Sequence, residues 1–109
     1  MIPDPSPPYE FEPSEAMRER IRNLIDRAGK LGHRAAAIQA FAKIFDYLTR
    51  APRDWGDPIR KYKKMKLTEY HGRHWNLRCV YSVHDRVPIV FLTKVIPLPG
   101  NPLFGKDLG

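Results

Sequence analysis

Three cations in the C-terminal half have the type and spacing to act on a phosphodiester: Lys64, Lys66 and Arg78. Lys64 and Lys66 are two residues apart, so on a β-strand they project from the same face. Arg78 lies in a second alternating segment over residues 75–83. There Trp75, Leu77, Cys79, Tyr81 and Val83 share one face, and Arg78 lies on the other, more polar one. Pairing of these two strands predicts three cations converging on one patch. Converging cations bind a phosphodiester's charge and stabilise the added charge of a pentacoordinate transition state. Crowding of like charges favours a neutral amine, the form that takes a proton from a ribose 2′-hydroxyl. The competing reading is a solvated strand face whose lysines keep the sheet soluble and protect its edge.

Other residues surround this trio. Lys61, Lys63, Arg73, His74, Arg86 and Lys94 are candidate nucleic-acid contacts. His71 and His74 flank Gly72-Arg73, and His84 sits in the following turn. A histidine beside a phosphate can serve as a general acid, since it titrates close to neutrality. The His-x-x-His spacing also raises a metal site, but no Cys or carboxylate pattern completes it, so neither metal nor cofactor is expected. Trp75 and Tyr81 have faces that stack on bases, but their position on the apolar side favours a core role. Cys79 shares that side and reads as a buried structural thiol.

The charge pattern makes polyanions the expected partners. The 109-residue chain carries a net charge of +7. Residues 1–57 balance nine Lys/Arg against nine Asp/Glu, whereas residues 58–109 hold ten Lys/Arg against three acids. The whole excess therefore sits in the second half, a field that attracts nucleic acid, an acidic membrane or an acidic protein. The single cysteine excludes an internal disulfide and fits a reducing compartment. The N-terminus has neither the basic nor the apolar region of a signal peptide. No apolar run approaches the roughly 20 residues that span a bilayer. A cytoplasmic location without membrane contact is expected.

The elements that position these residues follow from punctuation and period. Residues 1–8 hold four prolines and read as a flexible arm. Residues 9–12 alternate apolar and acidic, as a short strand does. Pro13-Ser14 supplies a stop and an N-cap, and Met17, Ile21, Leu24, Ile25 and Ala28 follow at helical spacing. This predicts a helix over 14–28, broken by Gly29 and Gly32. A second helix, 33–50, carries the stripe Ile38, Phe41, Ala42, Phe45 and Leu48, and Pro52 ends it. Residues 51–58 read as a turn-rich connector, with Trp55 capping the core edge. A strand near 64–68 is broken at His71-Gly72-Arg73. Strands over 75–83 and 89–96 follow, joined by a turn at 84–86. The predicted architecture is α+β. An N-terminal strand and a helical hairpin pack on a small antiparallel sheet in the order β-α-α-β-β-β. It forms one domain over 9–104, between the arm and a tail at 105–109.

Lys64-Met65-Lys66-Leu67, then Leu77-Arg78-Cys79-Val80-Tyr81-Ser82-Val83-His84-Asp85 and an apolar strand, resemble the RelE/ParE superfamily of bacterial toxin–antitoxin systems. The element order is similar too, and the resemblance covers most of residues 9–96. It implies the toxin component of a type II system. The RelE branch is a metal-independent endoribonuclease that cuts ribosome-bound mRNA by attack of a 2′-hydroxyl on the adjacent phosphate. On that resemblance Lys64 and Lys66 are the basic pair, one of them the general base, and Arg78 stabilises the phosphate. The implied partners are a cognate antitoxin, RNA and the ribosome, with no small-molecule cofactor. Family nucleases also carry an arginine after the last strand and an aromatic hydroxyl near the C-terminus. Here no arginine follows Arg86, and the C-terminal aromatic is Phe104. These departures carry the alternative expectations: a non-catalytic or gyrase-directed ParE-like toxin, or a basic nucleic-acid-binding accessory protein.

Overall fold

The computed structural model describes residues 8–99. Nearly all of the proline-rich arm, the tail at 105–109 and Phe104 lie outside the described residues. Within them the chain is α+β, with a five-stranded mixed sheet under a helical hairpin.

Helix α1 (Glu15–Lys30) starts where the sequence punctuates it. The Ser14 hydroxyl accepts the Met17 N–H at 3.1 Å, an N-cap with Glu15 in the first turn. Its end corrects the expectation, because Gly29 stays helical. His33 N–H reaches the Ala28 carbonyl and Gly32 N–H reaches that of Gly29, with Gly32 at φ +83°. That is a Schellman closure, and Gly32 supplies the left-handed residue it needs. Helix α2 (Arg34–Arg50) buries Ala37, Ala40, Phe41, Ile44 and Leu48. The buried stripe is rotated from the predicted one: Ile38 and Ala42 are exposed. Small alanines line the seam and let the helices approach, which a hydrophobicity count alone does not reveal. A single turn, α3 (Pro52–Trp55), follows.

The strand order corrects the predicted β-α-α-β-β-β. Strand β1 (Glu10–Phe11) is followed, after the helices, by four strands: β2 (Asp57–Tyr62), β3 (Leu67–His74), β4 (Leu77–His84) and β5 (Ile89–Pro97). Their spatial order is β1-β5-β4-β3-β2, with β1 parallel to β5 and the remaining pairs antiparallel. The predicted connector, 51–58, holds the turn α3, and β2 begins at its end and runs on through residues assigned to no element. Residues 63–66 form the turn that joins β2 to β3. His71-Gly72-Arg73 lies inside β3, and the break falls at Trp75 and Asn76. Both adopt positive φ, 57° and 63°, as the two central residues of a type I′ hairpin require.

The helix-facing side of the sheet buries Tyr70, Leu77, Cys79, Tyr81, Val83, Val90, Leu92 and Val95. Leu92 and Val95 are three apart, so strict alternation puts them on opposite faces. A bulge at Thr93 absorbs the extra residue, since Tyr81 pairs with Leu92 and Val80 with Lys94. Both side chains then face inward. A run of stacked rings crosses the core edge: Tyr47 on Trp55 at 5.0 Å, Trp55 on Tyr81 at 5.3 Å, and Tyr81 on Tyr70 at 5.5 Å. Gly72 lets Trp55 lie against the strand; a Cβ there meets the indole at 2.8 Å. The Tyr81 hydroxyl donates to the Pro52 carbonyl and accepts the Gly56 N–H, which fixes the entry to β2.

Candidate nucleic-acid interface

The helices cover one face of the sheet and leave the other open. Alternation sorts the residues. On β4, Leu77, Cys79, Tyr81 and Val83 face the helices, so Arg78, Val80, Ser82 and His84 face away. Cross-strand partners share a face, which adds Glu69, His71 and Arg73 from β3 and Phe91, Lys94 and Ile96 from β5. From β2, Asp57 lies across from His71 and Arg60 across from Glu69.

The register separates the three cations expected to converge. Lys64 and Lys66 are not on a strand. They sit in the exposed 63–66 turn, where Lys66 N–H bonds to the Lys63 carbonyl and Lys66 itself has φ 55°. Leu67 pairs with His84, whereas Arg78 pairs with Arg73. Six residue steps along β4 separate His84 from Arg78, about 20 Å at the strand rise of roughly 3.3 Å per residue. A single phosphodiester cannot touch both Lys66 and Arg78. The expectation fails because it placed the turn inside a strand and omitted β2.

The candidate contacts therefore fall into two groups. Lys61, Lys63, Lys64, Lys66 and Arg86 gather at the end of the sheet where the 63–66 and 85–88 turns meet. Part of that charge is answered. Lys61 Nζ lies 3.9 Å from the Asp85 carboxylate, which also accepts a 2.7 Å bond from the Thr68 hydroxyl, and Asp85 N–H caps the Lys66 carbonyl. Arg73, Arg78 and Lys94 form the second group, on the open face toward the other end. His74 belongs to neither. It points to the helix side, edge-on to Tyr47 at 5.6 Å, and burial together with nearby Lys43 lowers its pKa.

Arg73 and Arg78 are direct cross-strand partners. Like charges in that relation destabilise a sheet. Neither pairs with a carboxylate among the described residues. Arg78 leans diagonally instead, and its Nε–H donates to His71 Nδ1 at 3.1 Å. In that bond Nδ1 is the acceptor, which leaves Nε2 as the ring's donor position. The bond holds the guanidinium in place through Nε and uses none of its terminal N–H groups. Through it His71 orients the Arg78 side chain. The arrangement suits anion binding: two guanidiniums face each other, one is pre-oriented, and Lys94 is one strand away.

Cys79 is fully buried, and burial pushes its thiol up to about 12, so it is a packing residue. No group of three or more His, Cys, Asp or Glu among the described residues is arranged to hold a metal ion. No described helix is long and apolar enough to cross a membrane. Sequence reasoning missed Arg53, whose guanidinium bonds the His84 carbonyl at 2.7 Å and the Tyr70 hydroxyl at 3.3 Å. It ties α3 to the middle of β3 and to the end of β4. No local pattern announces it.

No protein-family model, curated protein or solved structure matches the chain. The RelE/ParE resemblance therefore rests on the sequence motifs alone.

Proposed function

We propose that this protein binds the phosphodiester backbone of RNA on the open face of its sheet, and that it acts as a RelE/ParE-like toxin by occupying its target. One observation carries this reading: Arg73 and Arg78 face each other across the β3–β4 hairpin without a carboxylate partner among the described residues. A bound phosphate relieves that repulsion and satisfies both guanidiniums, which fork bidentately onto phosphate oxygens. The charge excess of residues 58–109 supplies the long-range attraction. An antitoxin suited to such a face presents acidic side chains and competes with RNA for it.

The second reading is the metal-independent endoribonuclease. It is favoured by the pre-orientation of Arg78, since fixed donors aimed at a phosphate stabilise its transition state. In that reading Arg73 and Arg78 carry the charge, and Lys64 and Lys66 act on a distant part of the RNA. Induced expression in bacteria tests the toxin reading: growth arrest is expected, relieved by Arg78→Ala. Normal growth with the wild-type protein contradicts it. Mapping RNA ends on translating ribosomes then separates the two modes, because occupation leaves the message intact and the nuclease produces new 5′ ends.

A further inference from the structure

Phe91 has no part in the core. It is 44% exposed, between buried Val90 and Leu92 on β5, and it projects from the open face. It makes no ring contact with another described residue. Its cross-strand partner is Ser82, and the next open-face rung pairs Val80 with Lys94. Ser82 and Val80 are small and nearly fully covered, 6% and 7% exposed. They form a low floor beside the Phe91 ring. Lys94 stands one side-chain step from the ring, about 7 Å along the strand. Arg78 follows one step further along β4. The face therefore holds, in order, an exposed aromatic surface, a lysine and an oriented arginine. Another open-face aromatic among the described residues, Tyr62, is engaged by Arg60, whose guanidinium lies 5.8 Å from the ring centre and 3.5 Å from the hydroxyl.

We propose that Phe91 is a stacking platform for one unpaired nucleobase of single-stranded RNA, with the phosphates of that nucleotide and its neighbour on Lys94 and Arg78. The inference rests on the RNA reading above and sharpens it. Cations alone bind any polyanion, whereas an exposed ring beside them rewards a base. A duplex offers no free base face, so the site selects single strands.

The test is a titration of the full chain with a fluorescein-labelled single-stranded oligo(A) RNA, followed by anisotropy, with inorganic polyphosphate as unlabelled competitor. Phe91→Ala and Phe91→Leu remove the π-face, and Phe91→Leu keeps an apolar side chain on the strand. Both are expected to weaken oligo(A) binding by about 5- to 150-fold. Phe91→Tyr is expected to restore it, and polyphosphate is expected to bind all four proteins alike. Binding of oligo(A) by the wild type that neither Phe91→Ala nor Phe91→Leu alters overturns the stacking platform and leaves phosphodiester binding standing. A parallel loss of polyphosphate binding in Phe91→Leu also overturns it, because the ring then supports the face rather than a base. Failure of the wild type to bind oligo(A) overturns both readings.

Discussion

Gly72→Ala perturbs the joint between the aromatic run and the strand that carries Arg73. The added Cβ meets three indole atoms of Trp55 at 2.8–2.9 Å, closer than carbon atoms pack. The indole cannot swing aside cheaply, because Tyr47 and Tyr81 both stack on it, at 5.0 and 5.3 Å. Overpacking of this kind costs about 1–3 kcal/mol. For a domain of this size each kcal/mol lowers Tm by roughly 4–8 °C. In a Trp55→Ala background the obstacle is gone. There Gly72→Ala is expected to be neutral or to stabilise by up to about 1 kcal/mol, since glycine in a strand interior loses more chain entropy than alanine. The two substitutions should therefore couple by about 1–4 kcal/mol. Urea unfolding of the wild type, both single variants and the double variant measures that coupling. An equal cost of Gly72→Ala in both backgrounds refutes the claim that the ring is what excludes a side chain at position 72.

Three further predictions concern the same core. Tyr81→Phe leaves the Gly56 N–H and Pro52 carbonyl without their hydroxyl partner and should cost about 1–3 kcal/mol in urea unfolding. Cys79, with its thiol pushed up to about 12 by burial, should resist a thiol reagent at pH 8 until the chain is unfolded; stoichiometric labelling of the native protein contradicts this. His74 has a lowered folded pKa, from burial and Lys43, so the unfolded chain binds its proton first as pH falls. Stability should decline as pH drops below the unfolded value of about 6.5. The urea midpoint of His74→Gln should fall less between pH 7.5 and 5 than that of the wild type.

The helices and the inward face of β4 are legible in the sequence because their signals are local: Ser14 caps α1, and Leu77, Cys79, Tyr81 and Val83 alternate without interruption. Strand β2 is hidden because Pro58 and the irregularity between Pro58 and Arg60 spoil its period, and five of its six residues are exposed. An edge strand blunted in this way presents no hydrophobic pattern to read. Gly72 looks like a breaker when the ring that requires it lies 17 positions away, at Trp55. Trp75 is a poor advertisement for a left-handed turn residue, so the true hairpin passes for strand. These misplacements change the site. Arg73, Arg78 and Lys94 can be picked out by type and half-chain charge, and Arg78 is read on the correct face. Its convergence with Lys64 and Lys66 depends on register, which the turn geometry fixes and the motif does not.

The proposed function requires that Arg73 and Arg78 together receive an RNA phosphate backbone. The most direct test is the salt dependence of RNA binding by the wild type and by the Arg73→Ala/Arg78→Ala double variant. Each cation that neutralises a single-strand phosphate contributes about 0.7 to the slope of log K against log salt. The double variant is expected to bind more weakly, with a slope lower by about 1.4. An affinity and a slope unchanged from the wild type contradict this and move RNA binding off the open face of the hairpin.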